Sequence, residues 1–305
     1  IGEKMTLQQL RQVLTIAESN SMNEAAKKLF VSQPNLSATV REVEEELGIT
    51  VFMRNNRGIT VTAEGEEFLG YAKQVVEQYH LLENRYLNVE SKKKFSVSMQ
   101  HYSFAVKAFV QLAKEVGMDE YEFAVHETKT KEVIDNVKNL KSEIGVLYLS
   151  DFNEKVLRKL FKECDIEFKE LFTCNTYVYL WKKHPLAGQK EITLDDLQEY
   201  PCLTFEQGVN NSFYYAEEMM STYEYKRVIK ADDRATMLNL MVGLNGFTLC
   251  SGIISEDLNG DDYAAIPLKE SEIMHIGYIK HKGTKLSKLG EIYIDALKNY
   301  ENKVL

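Results

Sequence analysis

Hydrophobic positions in the first sixty residues recur at three- and four-residue spacing, the period of helices with one buried face. Leu7, Leu10, Val13, Leu14 and Ala17 form one stripe. Met22, Ala25, Ala26 and Leu29 form a second, about two turns long. Leu36, Val40, Val43 and Leu47 form a third. Each stripe follows a residue able to cap a helix: Thr6 with Gln9 and Ser21 with Glu24 at capping-box spacing, then Ser32 with Pro34 in the first turn. Only Phe30 and Val31 separate the second and third helices, which is the joint of a helix-turn-helix. On the third helix, Pro34, Ala38, Arg41 and Glu45 point away from the stripe, with Ser37 on the flank. Its exposed N-terminal half is therefore small and polar, as a helix that enters the major groove requires. Gln33 can pair with an adenine edge, Ser37 with base or phosphate, and Arg41 with phosphate, while Lys28 adds a nearby cation. A helical bundle with a polar surface has the same spacing, so the pattern alone leaves both readings open.

After Gly48, residues 49–54, 55–58 and 59–61 read as strand, turn and strand, a wing with Arg54 and Arg57 near its tip for flanking phosphates. Thr62 then caps a long helix on which Phe68, Ala72, Val75, Tyr79, Leu82, Tyr86 and Val89 alternate spacings of four and three. That is a coiled-coil heptad, on a helix about 40 Å long if it runs from 63 to 90. The chain offers it no partner helix of similar length. A second copy of the chain, or its own core, must cover the stripe. Lys92-Lys93-Lys94 ends the pattern as a linker.

From Phe95 the texture changes to short strands alternating with amphipathic helices. Residues 95–99, 121–126 and 144–149 read as strands joined by helices, a βαβ rhythm that implies a mostly parallel sheet. A second unit follows through residues 177–181, 202–205 and 247–250, and the last strand and helix return to the first. Two α/β lobes result, with crossovers near 165–168 and 264–268. Ligands in such folds bind at the carboxyl ends of strands, and helix N-termini there suit an anion. The residues in position are Gln100, His101, Tyr102 and Ser103, then Thr128 and Lys129, then Thr204 and Phe205, and finally Gly246 and Phe247.

Length and charge modify this picture. With 305 residues the chain has room for two or three domains. The net charge of -9 runs against nucleic-acid binding if taken globally. Lys27, Lys28, Arg41, Arg54 and Arg57 must supply a local field against Glu42, Glu44, Glu45 and Glu46. No apolar run is long enough for a membrane span and the first ten residues hold no signal-peptide core, so the cytoplasm is the expected compartment. The 4 cysteines stand singly, which argues against zinc or a disulfide framework and leaves buried small hydrophobes or a redox pair. The motifs of a nucleophile elbow, phosphate loop, dinucleotide fingerprint or metal site are missing, so neither enzyme nor cofactor is expected.

Read as a unit, residues 7–69 resemble the DNA-binding domain of the LysR-type transcriptional regulators. The segments SMNEAAKKLFVSQPNLSATVREVEEELGITVFMR and RGITVTAEGEEFL carry the resemblance. In them Ala25-Ala26, Ser32-Gln33-Pro34, Leu36-Ser37, Glu44, Leu47-Gly48, Phe52, Arg54 and residues 62–65 (TAEG) fall at the family's positions. The second half resembles that family's effector domain, which shares its fold with type 2 periplasmic binding proteins. The evidence there is LWKKHPLAG, VGLNGFTLCSG and the overall spacing. The family's acidic position in the third strand is Gly145 here. The fold expected is α/β overall: a winged helix-turn-helix over 1–62, a linker and dimerisation helix over 63–91, and a two-lobed effector domain over 92–305. Lobe I should cover about 92–166 and 267–305, and lobe II about 167–266. The resemblance implies a regulator that binds double-stranded promoter DNA as a homodimer or homotetramer. It also implies a small anionic effector between the lobes and RNA polymerase as a further partner, with no membrane involved. A cytoplasmic solute-binding protein, or an architectural DNA binder without an effector, are the competing readings.

Overall fold

Capping residues start the helices where their spacing predicts. The computed structural model describes residues 5–19, 21–55, 58–86, 93–117, 120–210, 212–254 and 256–300. These fall into two compact units, Ile1–Ser91 and Lys92–Leu305. In the first, α1 (Leu7–Ala17) opens on a full capping box: Gln9 N–H donates to the Thr6 hydroxyl at 3.2 Å and Thr6 N–H donates to the Gln9 side chain at 2.8 Å. Ser21 caps α2 (Met22–Lys28), and Ser32 caps α3 (Gln33–Leu47), which ends at Gly48 with φ 69°. Val13, Ile16, Ala25, Leu36, Val43 and Val51 are fully or almost fully buried in one core. Two expected core positions differ. Ile16 rather than Ala17 is buried, and Leu47 is 38% exposed because the last turn of α3 runs past the core.

The wing is a hairpin of β1 (Phe52–Asn55) and β2 (Gly58–Val61), antiparallel with Phe52 opposite Val61. Residues 49–51, expected to extend the first strand, instead turn back onto α3. Ile49 N–H donates to the Glu44 carbonyl at 3.3 Å, and Val51 N–H to the Glu44 carboxylate at 2.7 Å. Helix α4 (Ala63–Tyr86) begins at Thr62, whose hydroxyl accepts from Gly65 N–H at 2.9 Å and donates to the Thr50 carbonyl. A Cβ on Gly65 would lie 2.3 Å from the Val51 carbonyl oxygen, so only glycine lets α4 start against the wing.

The second unit contains a five-stranded sheet in the order β4-β3-β5-β12-β6. Strands β3 (Lys93–Met99), β4 (Tyr121–Glu127) and β5 (Ile144–Leu149) are parallel. Strand β6 (Ile166–Cys174) lies at one edge, paired antiparallel to β12 (Met274–His281). Helices α5 (Ser103–Val116), α6 (Thr130–Lys138), α7 (Glu154–Glu163) and α10 (Lys288–Lys298) cover its two faces. Alternation along β5 sends Ile144, Val146 and Tyr148 into the core under α5 and α10, and Leu147 and Leu149 into the core under α6 and α7. Gly145 lies between them. A Cβ there would meet Ile279 at 2.7 Å and Val133 at 2.8 Å, so an acidic side chain at this position has no space.

The second lobe is built around β7 (Tyr177–Trp181), which pairs antiparallel with β10 (Thr248–Cys250) and β11 (Tyr263–Pro267). Strands β8 (Cys202–Phe205) and β9 (Val228–Ala231) form a parallel pair beside it, with α8 (Arg234–Leu244) and the short α9 (Glu256–Asn259) completing the lobe. Two expectations are corrected. The pairings of β7 are antiparallel, and β6 stays in the first lobe's sheet through Cys174, so the first crossover follows Cys174 rather than residue 166.

Candidate functional site

The N-terminal half of α3 borders a surface hollow with Gln33, Pro34, Ser37, Ala38 and Arg41 on its rim and Phe52 and Ile59 of the wing beside it. Gln33 Nε2 donates to Ser37 Oγ at 2.8 Å, one helical turn away, which holds both polar ends on the same face. Arg41 is exposed and pairs loosely with Glu45 at 3.7 Å. Lys28 is tied down within the first unit instead, by Glu24 of its own helix at 2.9 Å and by Ser19 Oγ, just after α1, at 3.2 Å. The backbone of Arg54 pairs with Ile59 in the wing. Its side chain, and all of Arg57, lie outside the described residues.

The acidity of α3 has a structural account that spacing did not show. Glu44 accepts backbone N–H groups from Val51 at 2.7 Å and Phe52 at 3.0 Å. Glu42 accepts from Gln9 Nε2 at 3.0 Å, and Glu46 from Met5 N–H at 3.0 Å. Three of the four carboxylates therefore fasten the helix to its neighbours, Glu42 and Glu46 away from the Gln33–Ser37 face and Glu44 beside it in the same hollow.

On α4 the expected dimer stripe divides in two. Ala72 is buried with Val76 against Leu10, and Phe68 packs beside Leu7 and Leu14, so the first half serves this chain's own core. Val75, Tyr79 and Leu82 remain 51%, 38% and 55% exposed, together with Tyr71 at 59%. At 100° per residue these four fall within about 80° of one another, so the unused half is still one apolar face. Arg11 flanks it, over the Tyr79 ring and 3.4 Å from Glu83. The side chain of Tyr86, and Val89, lie outside the described residues.

Between the two lobes of the second unit is a cavity of about 90 Å³. That is several times the minimum that holds one water, so a small ligand has room there. Of the ten expected effector residues, His101, Tyr102, Ser103 and Phe205 line it. His101 stacks on Phe205 with ring centroids 3.6 Å apart and joins the lobes by an Nδ1 contact of 2.8 Å to Glu217. Tyr102 donates from its hydroxyl to Gln100 Oε1 at 3.0 Å.

The other six lie elsewhere. Gln100 is 1% exposed and stands behind the wall, donating to Thr130 Oγ1 at 2.6 Å and accepting from Tyr148 N–H at 3.2 Å. Thr128 donates to Glu132, and Lys129 pairs with Asp232 at 3.3 Å across the lobes. Thr204 is paired with Lys230 in the β8–β9 ladder. Gly246 packs so closely on Leu203 that a Cβ would lie 2.8 Å from it, and Phe247 is wholly buried against Tyr225. Position at a strand or helix end placed these residues near the cleft, but their hydrogen bonds and packing turn them into its supports.

Sequence reasoning missed most of the polar lining. Glu217 and Glu218 are 6% and 5% exposed, and Arg234, Thr248, Ser251 and Tyr179 join them. The available signal was an acidic pair inside an apolar run, YYAEEMM (residues 214–220), since charges so flanked are seldom solvated. Glu217 Oε2 accepts from His101 N–H at 2.9 Å, and Glu217 Oε1 accepts from Gln207 Nε2 at 2.9 Å. Its carboxylate thus sits at the start of α5, which has no side-chain cap, where an external anion was expected. Arg234 is paired with Glu127. Glu218 accepts Phe205 N–H at 2.9 Å. Burial, then its neighbour Glu217, push its carboxyl up to about 8. The Thr248 hydroxyl is buried with no hydrogen-bond partner, and the Tyr179 hydroxyl faces Asn259 without a well-aligned bond.

Burial pushes the thiols of all four cysteines up, those of Cys174 and Cys250 to about 12, which leaves little thiolate at neutral pH. Among the described residues no three His, Cys, Asp or Glu side chains group as metal ligands, and no helix is long and apolar enough to cross a membrane.

Comparison with known proteins identifies both units by family and fold. Residues 7–66 match the model of the bacterial regulatory helix-turn-helix proteins of the lysR family, and residues 100–301 match the LysR substrate binding domain. Among curated relatives, the HTH-type transcriptional regulator CysL of Bacillus subtilis is 25% identical over 97% of this chain and 98% of its own. The transcriptional dual regulator GltC of the same organism is 30% identical over 67% of this chain and 66% of its own. Among solved structures, a full-length OxyR variant from Pseudomonas aeruginosa superposes with a TM-score of 0.70 at 19% identity, covering 97% of this chain and 95% of that one. Full-length CbnR in complex with its target DNA superposes at 0.58 and 17% identity, covering 97% and 99%. At those identities the structures speak for the fold alone.

Proposed function

The chain belongs to the LysR family of DNA-binding transcription regulators with a substrate-binding domain, and from that premise we propose which of its surfaces do the work. Gln33 and Ser37 read base edges in the major groove, with Pro34 and Ala38 small enough to let α3 enter, and Arg41 holds a phosphate. The observation that carries this is the Gln33–Ser37 hydrogen bond of 2.8 Å on a half-exposed face where the nearest glutamate, Glu44, is already engaged by the Val51 and Phe52 N–H groups. Two chains associate through Tyr71, Val75, Tyr79 and Leu82, an apolar face that the chain's own α1 leaves largely open, with Arg11 over Tyr79 at its edge. The inter-lobe cavity takes a small effector, whose binding alters how two DNA-binding units reach their half-sites.

The test is a promoter fragment from beside the chain's own gene, assayed by gel shift. Replacing both Gln33 and Ser37 by alanine should weaken binding at least tenfold while thermal stability stays within about 0.5 kcal/mol of the parent. Undiminished binding would remove α3 from the interface and favour a solute-binding role.

A further inference from the structure

The effector cavity is lined by more acid than base. Glu217 and Glu218 both face it, and no basic side chain hydrogen-bonds to Glu218 among the described residues. The one guanidinium on the wall, Arg234, is already engaged by Glu127. Just before α5, whose N-cap residue makes no side-chain capping bond, the carboxylate of Glu217 already accepts from His101 N–H, so a negative charge of the protein's own stands beside that helix start. The protein therefore supplies its own anion, and a second from solution would face two carboxyl groups in a partly enclosed space.

A second observation points to what is missing. Thr248 is 7% exposed, lines the cavity, and its hydroxyl has no hydrogen-bond partner. An orphaned buried hydroxyl costs free energy that a ligand donor can recover. Much of the rest of the wall is apolar, with Phe104, Met237, Leu238, Ile253 and Met274, and its remaining polar groups, Ser103, Ser251, Tyr179 and Asn259, are uncharged. We propose that the cavity selects a small organic cation, a protonated amine on a short apolar body, with Glu218 as its counter-charge and Thr248 as an acceptor. This rests on the reading of the cavity as the effector site.

The ligand supplies what the buried carboxyl lacks. A cation beside Glu218 favours its ionised form, so binding at pH 7 should release a proton. A cavity of about 90 Å³ suits a small amine, and n-butylammonium is a probe of that kind.

The experiment uses the full chain and three probes of matched size: n-butylammonium, 1-butanol and n-butyrate, at equal ionic strength. Titration calorimetry in two buffers of different protonation enthalpy should show binding of n-butylammonium with proton release. Butyrate and butanol should bind at least tenfold more weakly. Glu218→Gln should weaken the ammonium tenfold or more, while Thr248→Val, which keeps the shape, should weaken it several-fold. Butyrate binding as tight as the ammonium, ammonium binding that survives Glu218→Gln, or silence from all three probes each overturns the proposal. The underlying reading fails differently. If the ammonium binds as described but leaves the promoter footprint unchanged at saturation, the ligand class stands and the effector role falls.

Discussion

The two units use glutamate in opposite ways, and the contrast explains why one was readable in sequence and the other was not. On α3, Glu44 is half-buried and both contacts it makes are to backbone N–H groups seven and eight residues away. It is a fastener within a local motif. In the second unit, Glu218 is 5% exposed, and the lining it shares is drawn from positions as far apart as His101, Tyr179, Arg234, Thr248 and Met274. A face carried on one helix repeats at 100° per residue and can be counted along the chain. A cavity assembled from eight separate segments has no period, and its chemistry appears only when the chain folds.

The contrast is tested most strongly in the cores beneath each site. Leu36 is fully buried in a core confined to the first unit. Leu36→Ala should cost about 3 kcal/mol by urea denaturation of that unit and abolish promoter binding. Calorimetry with n-butylammonium should still register the cavity. Loss of both functions together would mean that the units do not fold separately and that the contrast is false.

The next effect is on pH. The Glu218 carboxyl is raised in the folded state, to about 8 against 4.5 for an ordinary glutamate. Its contribution to stability is therefore fully present below about 4.5 and is lost as pH rises through about 8. Between pH 6 and 8 the unligated protein should lose on the order of 1 kcal/mol per pH unit from this group. Glu218→Gln should flatten that slope in thermal melts, and a slope unchanged in the variant would show that Glu218 is solvated and ionised.

Glu44 should behave otherwise. Glu44→Ala removes the acceptor for two N–H groups and should cost about 1–2 kcal/mol, whereas Glu44→Gln keeps an oxygen in place and should cost about half as much. Melting temperatures of the pair give the ratio. Equal losses would mean that the charge matters more than the acceptor.

Legibility followed the same line. The three caps, the α3 face, the wing and the β3–α5–β4–α6–β5 order were all visible, because each is fixed by neighbours within a few turns. The α4 stripe was half legible. Its spacing found an apolar face, but not that Phe68 and Ala72 are consumed by α1 while Tyr71 joins the open side. Helix α7 and strand β9 had not been read from the sequence at all, the first being a charged helix with only Leu157 and Phe161 buried and the second a four-residue strand of mixed polarity. At the cavity, strand position alone brought His101, Tyr102, Ser103 and Phe205 to the lining, because they follow strands or end them. The expectation of an anion came from helix N-termini alone, and nothing in the spacing revealed that Glu217 would be folded back onto one of them.

The smallest expected effect on stability separates surface charge from buried charge. Arg41 and Glu45 are both more than 70% exposed and 3.7 Å apart, so their pairing contributes little. Arg41→Ala should change stability by less than about 0.5 kcal/mol. Its effect on DNA should be of another kind: binding weakened alike for every sequence, with the slope of log affinity against log salt reduced by about one. Glu45→Ala should act in the reverse direction, releasing Arg41 and removing a repulsive charge near the phosphates. If Arg41→Ala left the salt slope intact, the guanidinium would be facing solvent in the complex, and the phosphate field would have to come from the wing.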